Sequence, residues 1–113
     1  MIVDLRRLGE VQHLMGADAS QILEGLLDSM RGAIDRIERA LAGDDLPEAA
    51  SAAHVCRNDG LIVGASELLA VLQTVEQAAR RGELATAQMA LATLREVWGG
   101  TREALERALG TTP

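Results

Sequence analysis

Aromatic residues are almost missing from the sequence: Trp98 is the only one, and there is no Phe or Tyr. Base-stacking platforms and large aromatic ligand pockets are built from such side chains, so the composition argues against both. The charge agrees, because 11 basic residues, all of them arginine, stand against 17 acidic ones and give a net charge of −6. These arginines are scattered, whereas binding a phosphate backbone requires clustered positive charge. We therefore expect no nucleic-acid partner.

Cysteine and long apolar runs are equally scarce. The one cysteine, Cys56, can form neither an internal disulfide nor a metal cluster of cysteines. No apolar run approaches the roughly 20 residues needed to span a bilayer, and charges near the N-terminus interrupt the apolar stretch that a signal peptide needs. We expect a cytoplasmic protein with no metal site and no membrane association.

The length and composition fit one helical domain, residues 1–113. The 113 residues are 48% hydrophobic, and a chain of this size buries roughly 60–70% of its unfolded surface without help from disulfides or metal. Alanine and leucine dominate, and no strand-like alternation lies between turn signals. The sequence predicts an all-α fold. Because it starts at Met1 and ends in Thr-Thr-Pro, we expect a freestanding domain.

Periodicity and turn signals predict five helices. The first is short and amphipathic, spans residues 4–15 and stops at Gly16. Asp18 and Gln21 are spaced as a capping box, and the long second helix runs from there to Gly43 along one apolar stripe.

The third helix has the clearest start signal. Asp45 is a capping residue, Pro47 sits early in the helix, and Glu48 follows the cap by three residues. We expect this helix to run to Gly64, where the chain turns.

The fourth and fifth helices complete the fold. The fourth begins near Ser66 and ends at residues 80–82, Arg-Arg-Gly, which suit a helix C-terminus. The fifth begins near Leu84, and its inward positions recur every three or four residues as in a bundle seam. Short connections favour antiparallel neighbours. We therefore predict a monomeric, up-down-up-down four-helix bundle with the short first helix across one end.

One residue of the third helix does not suit a core. With the inward direction set by positions such as Ala53 and Cys56, a turn of about 100° per residue points His54 about 140° away from the core. An exposed patch of small and apolar residues surrounds it, which suggests a docking surface. This patch comprises Ala50, Val55, Leu61 and Ile62. Spacing alone supports an ordinary surface histidine equally well.

Residues 52–65, AAHVCRNDGLIVGA, resemble the signature of histidine-containing phosphotransfer (HPt) domains. In that signature an Ala-His pair is followed by a basic residue three positions on and a glycine ten positions on, and His54, Arg57 and Gly64 match it. The resemblance extends to the helix order, to Ala-Gly-Asp-Asp after the second helix and to Arg-Gly-Glu before the last. It implies a bundle whose exposed histidine takes a phosphoryl group from an aspartyl phosphate of one receiver domain and passes it to another.

The resemblance also implies roles for individual residues. His54 would be the phosphorylated nucleophile, Arg57 would offset charge on the phosphoryl oxygens, and Glu76 would orient the imidazole. The receiver would bring the Mg²⁺, so the chain needs no cofactor of its own. The implied partners are a response-regulator receiver domain and a hybrid histidine kinase, with this chain a phosphoryl carrier rather than a stand-alone enzyme. The expected binding residues are Ala50, Asn58, Leu61, Ile62 and Gly64.

Asn58 departs from the family pattern, which has glycine after the basic residue. A side chain there would narrow partner choice, add a hydrogen bond to the phosphoryl group, or mark a degenerate module that docks without transfer. That module is the alternative function, and an unrelated helical adaptor or chaperone is a third. For His13 and Cys56 we expect no functional role. Gly60 is a candidate for close helix packing.

Overall fold

Four α-helices make up most of the described chain, which in this computed structural model comprises residues 3, 4, 6, 9, 10, 13 and 18–110. They are α1 (Ala19–Ala42), α2 (Leu46–Val63), α3 (Ser66–Arg80) and α4 (Leu84–Gly110). They correspond to the second to fifth predicted helices, and no strand occurs in these described ranges. The predicted first helix, residues 4–15 with its stop at Gly16, lies largely outside the described residues. None of the helices in the described part is long and apolar enough to cross a membrane.

The ends of α2 follow the predicted local signals. At its start, the Asp45 carboxylate accepts a hydrogen bond of 3.2 Å from the backbone N–H of Glu48, and Pro47 occupies the first turn. At its end, Gly64 adopts left-handed dihedrals (φ 65°, ψ 35°), which glycine reaches at little cost. The predicted bounds of this helix are therefore confirmed.

The start of α1 differs from the prediction. Asp18 is the N-cap, but its side chain makes no capping hydrogen bond, so the predicted capping box is wrong. Its dihedrals (φ −86°, ψ −4°) are already helical, whereas a capping side chain reaches the free N–H groups from an extended backbone.

The core lies between the four helices. α1 packs against α2 and α4, α2 packs against α3, and α3 packs against α4. The predicted apolar stripe of α1 is buried at most of its positions, as are the seam positions of α4 from Ala87 to Leu105. Thr101, a polar seam residue, is satisfied because its hydroxyl donates to the carbonyl of Val97 at 3.0 Å.

Two contacts set the position of α2. Gly60 faces α3 so closely that a Cβ there would lie 3.2 Å from Cδ2 of Leu69, so the glycine permits this approach, as the sequence suggested. On the other side, Arg36 of α1 donates two hydrogen bonds to the carboxylate of Glu48, at 2.8 and 2.9 Å. These hydrogen bonds lower the pKa of Glu48. Together the contacts place α2 between α1 and α3.

Candidate functional site

His54 lies on the outer surface of α2. Its side chain is 54% exposed, while Ala53 and Cys56 on the same helix are fully buried. The outward direction predicted from helical periodicity is thus confirmed.

A buried carboxylate from the neighbouring helix lies directly behind this histidine. Glu76 of α3 is buried, and its Oε2 lies 3.4 Å from Nδ1 of His54. This separation is slightly longer than the usual 2.7–3.2 Å of an N–H···O hydrogen bond. The packing of α2 on α3 therefore brings together two residues that are 22 positions apart in the sequence.

Two arginines bind the Glu76 carboxylate, one at each oxygen. Nη1 of Arg57 donates to Oε1 at 2.8 Å, and Arg80 approaches Oε2 with Nε at 3.0 Å and Nη2 at 2.8 Å. One carboxylate thus contacts three side chains of the site, and Oε2 is shared by Arg80 and His54. We call these four residues the Glu76 cluster.

The cluster keeps Glu76 ionised. Burial by itself raises the pKa of Glu76, but the hydrogen bond from Arg57 and the charges of Arg57, Arg80 and His54 outweigh it and lower the pKa overall. The two guanidinium groups and the one carboxylate, counted without the imidazole, have a net charge of +1. A locally positive site therefore stands on a protein whose net charge is −6, which suits an incoming anion.

An open groove of about 610 Å³ runs beside His54 between α2 and the end of α3. Its lining is mostly apolar, and Arg80 is the cation in it. With His54, the residues that define this "His54 groove" include Leu46, Ala50, Val55, Ala79 and Arg80. The imidazole therefore has an apolar recess on one side and the Glu76 cluster behind it.

The predicted binding residues take different positions. Asn58, Leu61 and Ile62 are exposed on α2, as expected for a docking surface. Ala50 is buried, so its predicted place in the exposed patch is wrong: α2 packs against both α1 and α3, and its buried sector is wider than one stripe. Gly64 is half-buried and forms the C-cap of α2.

Arg80 belongs to the site without having been predicted there, because its place in the sequence indicates only a cation suited to a helix end. The available signal was its spacing, since Glu76 and Arg80 are four residues apart and lie on the same face of α3.

The other residues considered in the sequence lie outside the Glu76 cluster. His13 is exposed, and Cys56 is buried, with a pKa raised to about 12 by burial and by the negative charge of Asp59. The described residues contain no group of three or more metal-binding side chains.

Comparisons with known proteins give the family. The Hpt domain family matches residues 21–110, so the chain belongs to that family and is a histidine phosphotransfer protein of a two-component phosphorelay. Its structure is similar to the crystal structure of histidine-containing phosphotransfer protein B (HptB) from Pseudomonas aeruginosa PAO1, with a TM-score of 0.92 and 20% sequence identity over 99% of this chain and 97% of that one. At this identity the likeness shows a common fold. A search of curated proteins gave no match.

Proposed function

We propose that the phosphoryl group is carried on Nε2 of His54, between the aspartates of receiver domains. The observation that carries this proposal is the placement of the imidazole, which is half exposed while its Nδ1 faces the buried Glu76 carboxylate at 3.4 Å. Because the two ring nitrogens point in different directions, Nε2 is the one left for a partner. A carboxylate beside Nδ1 favours the tautomer whose proton is on that nitrogen.

The transfer step follows from this arrangement. The lone pair of Nε2 attacks the phosphorus of the aspartyl phosphate in line, so that an N–P bond forms while the P–O bond to the aspartate breaks and its electrons leave with the carboxylate. The proton stays on Nδ1, and the ring becomes positive. Glu76 stabilises that positive ring through its carboxylate, as carboxylates do beside catalytic histidines. Onward transfer runs the same step in reverse, and the receiver supplies the Mg²⁺ that its acidic residues bind.

Arg57 is proposed to offset negative charge on the phosphoryl oxygens. It comes from the turn of α2 that follows His54, and one of its nitrogens is held by Oε1 of Glu76. A guanidinium carries five N–H donors, so the ion pair leaves others for a phosphoryl oxygen. The planar group also offers two parallel hydrogen bonds, which a lysine in its place does not.

The partner is proposed to dock over the exposed face of α2 around His54. Asn58, Leu61 and Ile62 belong to this face, with Ala50 beneath it in the His54 groove; Gly64 contributes by ending the helix. A receiver domain or the hybrid histidine kinase would cover this surface.

The order of the helices in the fold supports a particular bundle arrangement. The short connections at residues 43–45, 64–65 and 81–83 support an antiparallel, up-down-up-down bundle. We propose that residues 1–113 form one such domain, monomeric and cytoplasmic, with the short N-terminal helix across one end.

A docking module without phosphotransfer is the second candidate. Asn58 favours it, because an exposed side chain stands four residues after His54 on the same face of α2, where the family pattern has glycine. In this case the chain would bind a receiver and take up no phosphoryl group.

Transfer of radiolabel distinguishes the two functions. We expect a ³²P-phosphorylated receiver domain, chosen because it binds this chain, to transfer label to the wild-type protein in the presence of Mg²⁺. The label should be acid-labile and base-stable, as a phosphoramidate is. His54→Gln should abolish it, and His13→Gln, which changes the only other histidine, should leave it unchanged. Label remaining on His54→Gln would overturn the assignment, and binding without any label would favour the docking module.

A further inference from the structure

We infer that Arg80 is a second cation that contacts the phosphoryl group during transfer, and that it acts from the His54 groove. The inference rests on the proposed phosphorylation of His54. It adds a residue on α3 to a reaction whose other proposed phosphoryl contact, Arg57, lies on α2.

The groove is the first observation. Arg80 and His54 both line it, and Arg57 is not among its lining residues. The Arg80 side chain is 58% exposed and that of Arg57 33% exposed. Arg80 is therefore the more accessible of the two guanidinium groups, and it shares open space with the imidazole.

The second observation is the shared oxygen. Nε and Nη2 of Arg80 lie 3.0 and 2.8 Å from Oε2 of Glu76, which is also the oxygen nearest to Nδ1 of His54. One carboxylate oxygen thus fixes the guanidinium beside the imidazole without using all of its N–H donors. The guanidinium is already ordered before the partner arrives, so little reorganisation is needed when charge reaches the site.

The third observation is the net charge of the Glu76 cluster. The guanidinium groups of Arg57 and Arg80 and the carboxylate of Glu76 leave the cluster a net charge of +1, and removing Arg80 would cancel it. The phosphoryl group in transfer carries negative charge spread over its equatorial oxygens. Without Arg80 that negative charge would meet only the neutral pair of Arg57 and Glu76.

The test measures the rate of label transfer at a saturating concentration of phosphorylated receiver. Under this condition the rate reports the transfer step and does not depend on the affinity of docking. Arg80→Ala should slow transfer by about tenfold or more. Losing one preorganised donor costs about 100- to 1000-fold in enzymes, and Arg57 remains to offset part of that loss. Arg80→Lys, which keeps the charge, should recover part of the rate. Arg81→Ala is the matched control, because Arg81 is exposed and next in sequence but is not among the groove-lining residues; it should transfer at the wild-type rate.

A double-mutant cycle separates direct contact from an effect through Glu76. If Arg80 contacts the phosphoryl group, Arg80→Ala should still slow transfer when Glu76 is already Gln. The factor should be smaller there, because the guanidinium still lines the groove but is no longer fixed by the carboxylate. If the effect of Arg80→Ala disappears in Glu76→Gln, Arg80 only holds the carboxylate, and the inference is wrong. Circular dichroism tests whether each variant is folded. If Arg80→Ala is not, it is replaced by Arg80→Met, which keeps the apolar part of the side chain.

The inference and the proposed function fail differently. Equal transfer rates for Arg80→Ala, Arg81→Ala and the wild type, with His54→Gln unlabelled, would overturn the role of Arg80 alone. Label persisting on His54→Gln would overturn the phosphorylation site, and the role of Arg80 with it.

Discussion

Leu61→Glu is expected to weaken receiver binding, because Leu61 lies on the proposed docking face. It is seven residues, about two helical turns, beyond His54 on the same side of α2, and it is 52% exposed. Roughly half of the side chain is therefore available for burial by a partner.

The size of the effect follows from that exposed half. Burying a whole leucine side chain contributes about 1.5–3 kcal/mol, so covering the rest of Leu61 contributes about 0.8–1.5 kcal/mol. Glutamate loses this contribution and adds a carboxylate that the partner must desolvate. We expect a loss of at least about 1 kcal/mol, which raises Kd about fivefold or more.

Isothermal titration calorimetry with a receiver that binds the wild-type protein measures this change. Leu61→Glu should weaken binding at least as much as Arg57→Ala, and added salt should weaken it only slightly because the contact is mainly apolar. Met89→Glu is the matched control and should leave Kd unchanged. Met89 is a large apolar residue that is 80% exposed, but it lies in a different groove, between α3 and α4. Equal Kd values for wild type and Leu61→Glu would place the docking face elsewhere.

Three further predictions concern single residues. Asn58→Gly should speed label transfer or widen the set of accepted receivers if the side chain only obstructs the partner; an unchanged rate and range would contradict that role. Cys56 should not react with a thiol reagent at neutral pH until the protein unfolds, because burial and Asp59 raise its pKa to about 12; rapid reaction of folded protein would contradict this. The pKa of Glu76 is lowered in the folded state, so its stabilisation is present above the ordinary value of 4.5 and is lost as the pH falls through the folded pKa. Glu76→Gln should therefore flatten the loss of stability below about pH 4.5, measured by urea unfolding, and an unchanged slope would contradict the ion-pair account.

Local signals explain which features could be predicted from the sequence. The cap at Asp45 and the left-handed Gly64 depend on a few neighbouring residues, and the outward direction of His54 depends only on helical periodicity. Such features do not need the position of a second helix.

Features that depend on helix packing could not be predicted in this way. Ala50 is buried because α2 packs against two helices. The spacing of residues along α2 does not indicate the second of these neighbours. Arg80 joins the site because α3 brings it beside Glu76 and the His54 groove. Glu76 was found through the family resemblance, while its distance from His54 required the packed structure. The geometry of the site is therefore a property of the interface between α2 and α3.

Onward transfer from the isolated phosphoprotein is the most direct test of a carrier that uses His54. The chain is labelled by a phosphorylated receiver, separated from that donor, and mixed with an unlabelled receiver and Mg²⁺. The account predicts that the chain loses label as the receiver aspartate gains it in equal amount, and that His54→Gln carried through the same steps delivers none. Label that leaves the chain only as inorganic phosphate, without appearing on any receiver that binds it, would contradict the account.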